Sequence, residues 1–246
     1  MSETLTPGLS VSLGLSDPVP KSHRGVVLRQ GKRGFAQVKE HIGQHVSREE
    51  LLDGFADGDV RFAMTSFDGL ELEGVSTNGT SFDQVIFRSC LFEDVDFSDA
   101  SFTDVRFEAC RFISCTMERC WLNRCDFAGC SAPGMSFAKG RLTSVFFGDC
   151  QLGYADFSET KIQGLVAEST SLVESAWRDV RLKTAHFDAC DLARAEFMGT
   201  SLAGIDLSTC EISGLVVSSI LHELRGCTVS PLQAIALAGY LGVQVK

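Results

Sequence analysis

The chain has 246 residues, 32 of them acidic and 22 basic, giving a formal net charge of −10. That balance argues against a protein whose chief partner is nucleic-acid phosphate, which is held by basic surface. No apolar run approaches the roughly 20 residues of a membrane-crossing helix, so no membrane partner is expected.

Residues 1–24 hold Ser, Pro and Gly with little periodicity and read as a flexible leader. They do not resemble a secretory signal: Glu3 comes early, the start is not basic, and no apolar core follows. Residues 25–59 read as an N-terminal cap segment, with a helix-like pattern from about Gly34 to Phe55. Within it, Ser47-Arg48-Glu49-Glu50 has the form of a capping box opening a short helix through Leu51 and Leu52. His41 and His45 stand one helical turn apart in that reading, but no carboxylate pattern completes a zinc motif, and both are expected in solvent.

From Phe62 to Val217 every fifth residue belongs to one column. Of its 32 positions, 29 are Phe, Leu, Ile, Met, Val or Trp; the exceptions are Thr77, Ala132 and Ala167. A second column, two residues earlier, carries mostly small residues such as Val, Cys, Ala and Thr, and neither column contains a charge. A period of five is neither the 3.6 of a helix nor the 2.0 of a simple strand. It demands a chain that turns in register every five residues, with two side chains inward and three outward. Four such sides close a square coil of about 20 residues, and stacked coils hydrogen-bond at about 4.8 Å. Residues 60–219 then make about eight coils, a rod about 38 Å long.

Residues 220–246 follow as a C-terminal capping and dimerisation segment. Ser230-Pro231 is an N-cap and first-turn pair, and Gly242 is a stop signal. The intervening helix is apolar on two sides, so one side can cap the last coil while the other meets a second copy. Leu232, Ile235, Leu237 and Leu241 are the candidate dimerisation residues, a homodimer is the expected state, and the Val243–Lys246 tail can add a strand.

The blocks Asp96-Phe97-Ser98-Asp99-Ala100-Ser101-Phe102 and Cys190-Asp191-Leu192-Ala193-Arg194-Ala195-Glu196-Phe197 resemble the loose A(D/N)LXX unit of pentapeptide-repeat proteins. The resemblance covers about two-thirds of the chain. It implies an all-β fold, a right-handed quadrilateral β-helix, here with a helical N-terminal cap and a C-terminal helix. For function it implies less, because one fold serves many ends. Some members protect DNA gyrase or topoisomerase IV from quinolones as acidic, dimeric DNA mimics, and several of those carry loops that break the coil; this chain has none.

Nine of the ten cysteines lie in the small column, and six share one ladder: Cys90, Cys110, Cys130, Cys150, Cys190 and Cys210. In-register parallel strands point both side chains the same way, which disfavours disulfides. The thiols read as small packing groups in a reducing cytoplasm. Cys115, Cys120, Cys125 and Cys130 put one thiol on each of four sides, but their spacing is no zinc pattern, so no metal and no cofactor are expected.

Outside the columns, acidic residues gather around one corner: Glu93, Asp94, Asp96, Asp99, Glu118, Asp156, Glu159, Glu174, Asp179 and Glu196. They are the candidate partner-binding residues. An adjacent side carries Arg141, Lys161 and Arg181, with Lys183 and Arg124 nearby, while Ile86, Phe146 and Val166 face outward on a third side, able to seat a partner or the N-terminal segment. No phosphate loop or nucleophile elbow is present, and an unbroken coil offers no cleft, so no catalytic residue is assigned. The chain reads as a non-enzymatic, cytoplasmic protein-interaction scaffold. A DNA-mimicking topoisomerase binder and a translocated effector or assembly protein are the alternatives.

Overall fold

A computed structural model describes residues 34–58, 60–77 and 79–243. The leader 1–24, the rest of what precedes Gly34 and the Gln244–Lys246 end of the tail lie outside the described residues. The repeat forms eleven strands: β1 (Arg61–Asp68), β2 (Glu71–Glu73), β3 (Ser81–Arg88), β4 (Leu91–Glu93), β5 (Ser101–Glu108), β6 (Arg111–Ile113), β7 (Trp121–Ala128), β8 (Arg141–Gly148), β9 (Lys161–Glu168), β10 (Arg181–Leu182) and β11 (Ala185–Asp188). All pair in parallel, β1-β3-β5-β7-β8-β9-β10 in one sheet with β11 also on β9, and β2-β4-β6 in another. Partners are twenty residues apart, as in Phe62↔Phe82 and Phe127↔Phe147. The fold is therefore the quadrilateral β-helix that a period of five demands.

The chain turns because the residue two after each large inward side chain takes a left-handed backbone, as at Asp99 (φ 61), Arg119 (φ 54) and Glu159 (φ 59). Many of these corners are not glycine, and each such residue costs on the order of 1 kcal/mol. Hydrogen bonds to the next coil offset it: the N–H of Asp99 donates to the carbonyl of Glu118 at 2.9 Å, and that of Arg119 to Ala138 at 2.9 Å.

Stacking in register fills the interior. Rings of Phe67, Phe87, Phe107, Phe127 and Phe147 follow one another at 5.3, 5.1, 4.7 and 5.1 Å, and each aromatic pair adds about 0.5–1.5 kcal/mol beyond its burial. Ala167 interrupts this ladder, and the fully buried Trp177 of the same coil restores the volume. Its indole stacks on Phe157 at 4.1 Å and meets Phe187 edge-on at 5.8 Å. Its N–H donates to Ser175 Oγ at 2.8 Å, so the buried indole donor is satisfied. The small column does polar work as well. Cys90, Cys110, Cys130 and Cys150 point their thiols at the carbonyl 23 residues earlier, at 3.3–3.4 Å, and Thr170 does the same to Phe147 at 3.2 Å. All ten cysteines are free thiols, and nine are buried. Burial pushes the Cys125 thiol up to about 12.

The strand-paired part makes about six turns, since six 20-residue steps separate Arg61 from Arg181, fewer than the eight expected. Beyond β11 the coil continues through isolated bridges such as Glu196↔Val216, then slips to Asp206↔Thr228, two residues out of step. The short 3-10 turn His222–Leu224 takes up the excess. At the slip, the buried Glu223 carboxylate replaces the missing main-chain acceptor: Oε1 accepts from Gly199 N–H at 3.1 Å, and Oε2 from Ser218 N–H at 3.2 Å and Ser218 Oγ at 2.8 Å.

At the other end, α1 (Arg48–Asp57) covers the first coil. Its capping box is formed, with Glu50 N–H donating to Ser47 Oγ at 3.1 Å and Ser47 N–H to Glu50 Oε2 at 2.7 Å. Leu51 and Phe55 point into the coil, Phe55 lying 6.1 Å from Phe62. Gly54 lets the helix approach, because a Cβ there would sit 2.5 Å from the Phe62 ring. Residues 34–46, expected to begin the helical segment, contain neither helix nor strand.

Two outcomes are expected. Trp177→Ala should lower unfolding free energy by about 3–5 kcal/mol in a denaturant titration, because Ala167 leaves no neighbour able to close the void. A thiol reagent should modify only the half-buried Cys227 quickly in native protein, and all ten cysteines after denaturation.

Candidate interaction surfaces

Residues 34–46 form a strap along one side of the rod, held by side chains from four successive coils. Phe35 and Ala36 N–H donate to the two oxygens of Asp126 at 2.6 and 3.1 Å, and Gln37 N–H donates to Asp104 Oδ1 at 2.9 Å. Further down, Arg88 donates to the Glu40 carbonyl at 2.9 Å and Ser66 Oγ to that of Ile42 at 2.8 Å. Ala36 and Val38 bury the outward Ile86 between them, with Ile42 alongside. This is the use of Ile86 as a seat for the N-terminal segment. Phe146 and Val166, on the same side, are also buried, the Phe146 ring lying where a Cβ on Gly148 would project. Arg124 is not part of the basic side: it grips Asp104 with two bonds, at 2.7 and 2.6 Å.

The two strap carboxylates titrate in opposite senses. Burial works against ionising Asp104, but the Arg124 guanidinium and the Gln37 N–H outweigh it and hold its carboxyl below the ordinary value. Burial dominates at Asp126 and raises its pKa despite the two N–H donors. Neither residue was among the candidates drawn from the sequence.

The acidic candidates fall into two groups. Asp94, Asp99, Glu159, Glu174 and Asp179 stand on left-handed corners, while Asp96, Asp156 and Glu196 share a bridged column and Glu118 lies between column and corner. Glu93 ends β4 on the preceding side. Five are in ion pairs: Asp99 and Glu118 with Arg119, Glu159 with Lys139, Glu174 with Arg194, and Glu196 with Arg178. Arg119 holds the Asp99 carboxyl below its ordinary range. Asp96 and Asp156 instead accept from the N–H of Ser98 and Ser158, each at 2.8 Å. This side of the rod, with its two corners, is thus a ladder of mixed sign.

At the C-terminal end, α2 (Pro231–Ala238) begins at Ser230, whose capping box with Gln233 is formed. Gln233 seals the last coil by donating to the carbonyls of Leu207 and Cys210 at 2.9 and 2.7 Å, and Tyr240 Oη donates to that of Leu215 at 3.0 Å. Leu237 packs on the core from this side, so it belongs to the cap and not to the outward face where it was expected. Leu232, Ile235 and Leu241 remain 80%, 50% and 67% exposed. Among the described residues no helix is long and apolar enough to cross a membrane.

Two family models match the repeat: pentapeptide repeats in eight copies over residues 65–104 and a pentapeptide repeat region over residues 100–177. With the coil geometry they show a pentapeptide-repeat β-helix, matched by the models over residues 65–177. Solved structures similar to it include QnrB1, a plasmid-mediated fluoroquinolone resistance protein, at 18% identity and TM-score 0.41 over 74% of this chain and 100% of that one. Another is HetL, a pentapeptide-repeat protein involved in heterocyst differentiation regulation from Nostoc sp. strain PCC 7120, at 14% identity and TM-score 0.31 over 75% and 95%. At these values neither likeness bears on partner or activity. A search of curated proteins finds no match.

The strap yields a pH prediction. Asp104 has a folded pKa below its unfolded one, so its tie is complete above the ordinary carboxylate range and is lost as pH falls through the lowered value. The raised Asp126 contributes in the opposite direction, losing stability as pH rises through its folded value. Hydrogen-exchange protection of the Gln37 amide should therefore drop on acidification, and Asp104→Asn should abolish that dependence.

Proposed function

We propose that this protein is a non-enzymatic interaction scaffold that works as a homodimer joined through α2. The observation that carries the reading is the division of labour on that helix. Gln233, Leu237 and Tyr240 close the last coil, while Leu232, Ile235 and Leu241 stay in water. Apolar side chains left exposed beside a sealed coil end suit a two-fold contact with a second copy. Two rods joined tail to tail would span about 58 Å over their strand-paired turns. An inward-packed coil without an inserted loop among the described residues supports binding by flat sides in place of catalysis in a cleft. Ten free thiols support a reducing compartment such as the cytoplasm.

The charge pattern favours a protein partner other than DNA gyrase or topoisomerase IV. Duplex DNA carries about one negative charge per 1.7 Å. Here acidic residues recur at coil spacing, about 4.8 Å, and five of the ten candidates are neutralised by Arg or Lys.

Sedimentation of Leu232→Asp/Ile235→Asp should show a monomer with unchanged thermal stability; unchanged mass would refute the dimer. Leu237→Asp should instead destabilise the C-terminal cap. Gyrase supercoiling and quinolone-induced cleavage should be unaffected by the purified protein, and protection from the drug would overturn the choice of partner.

A further inference from the structure

The repeat contains thirteen Lys and Arg, and eight of them are in ion pairs: Arg61, Arg88, Arg106, Arg119, Arg124, Lys139, Arg178 and Arg194. Four of the remaining five, Arg141, Lys161, Arg181 and Lys183, lie together. Arg141, Lys161 and Arg181 are direct register partners on β8, β9 and β10, so their Cα atoms follow at about 4.8 Å. All four side chains are exposed, and none forms an ion pair among the described residues. Like charges in register repel, so this column destabilises the rod.

The nearest acids do not relieve it. Glu159 is turned to Lys139, at 3.9 Å. Asp179 lies along the rod over Gly199, its carboxylate filling the place of a Cβ there. On the other flank stand Thr143 and Gln163, which are uncharged. The column ends on Trp121, the register partner of Arg141 and 49% exposed.

We propose that this stripe is the docking surface for an acidic, extended segment of a protein partner, with an apolar residue seated on Trp121. An extended chain laid along the rod presents alternate side chains about 6.7 Å apart. The flexible stems of Arg and Lys span the difference from the coil spacing, and the flanking Thr143 and Gln163 offer hydrogen bonds to its backbone. Four cations on a molecule of net charge −10 are too few for nucleic acid, whose binders usually neutralise more phosphates with a basic surface. The inference rests on reading the chain as an interaction scaffold, and it is independent of the α2 dimer.

The test is fluorescence-anisotropy binding of a labelled synthetic peptide, with Glu at four alternate positions and one terminal Leu, to the full-length protein at low salt. Arg141→Glu/Arg181→Glu should weaken binding about tenfold or more. Arg111→Glu/Arg225→Glu, which changes net charge equally at two other sites without an ion pair among the described residues, should leave it within twofold. Trp121→Ala should weaken binding to the Leu-bearing peptide more than to one ending in Gly. Equal losses in the two double variants, no binding by wild type, or tighter binding of a single-stranded oligonucleotide of equal charge would each overturn the proposal. The monomeric Leu232→Asp/Ile235→Asp variant should bind the peptide as wild type does, so failure of the dimer and failure of the stripe are read separately.

Discussion

The structure depends on one constraint: each residue lies above the residue twenty positions earlier. Main-chain hydrogen bonds run from coil to coil because of it, and side chains stack on their own kind. A Phe meets a Phe, a thiol meets a thiol, and an Arg meets a Lys. Inside the rod this repetition is favourable, since aromatic rings and small apolar groups pack well in ladders. On the outside it concentrates charge, and the rod must either alternate sign between coils, as Asp99 and Arg119 do, or tolerate repulsion, as at Arg141 and Lys161. The same rule that builds the core therefore decides which outer sides are electrostatically quiet.

Local departures are absorbed within a coil. Where the Phe ladder drops to Ala167, Trp177 on another side of the same coil supplies the missing volume, and Ser175 satisfies its N–H. Where the twenty-residue register slips after Ser218, a side-chain carboxylate stands in for a main-chain carbonyl. Both ends need helices because an open coil would expose unpaired strand groups. The two seals differ: α1 inserts Phe55 against Phe62, while α2 uses the amide of Gln233 on carbonyls and leaves most of its apolar residues outside.

The core was legible in the sequence because a five-residue column free of charge has few structural solutions. The capping box at Ser47 and the N-cap and Pro pair at Ser230-Pro231 were legible for a similar reason, since both signals are local. The strap was not. Its apolar spacing mimics a helix, but its hydrogen bonds go to Asp104 and Asp126, 67 and 91 residues away, and no local pattern reports such a contact. One trace was present: between positions 86 and 166, Asp126 is the single acid in an outward column that also holds Ile86, Phe146 and Val166. The acidic candidates, expected around one corner, stand on two, Asp94 and Glu174 on one and Asp99, Glu159 and Asp179 on the next, and composition does not say which basic neighbour reaches which acid. Leu237 was assigned outward because both faces of α2 are apolar, and only the packing against the last coil separates them.

The strap also orders events in time. It is made before the rod during synthesis, and its anchor at Asp126 is made 90 residues after Ala36. Closing so long a loop costs entropy that only a finished surface repays. The strap can therefore lock down only after the coils carrying Ser66, Arg88, Asp104 and Asp126 have stacked. A segment that reads as part of a helical cap in the sequence would then act as a latch, closing only on coils that have already stacked.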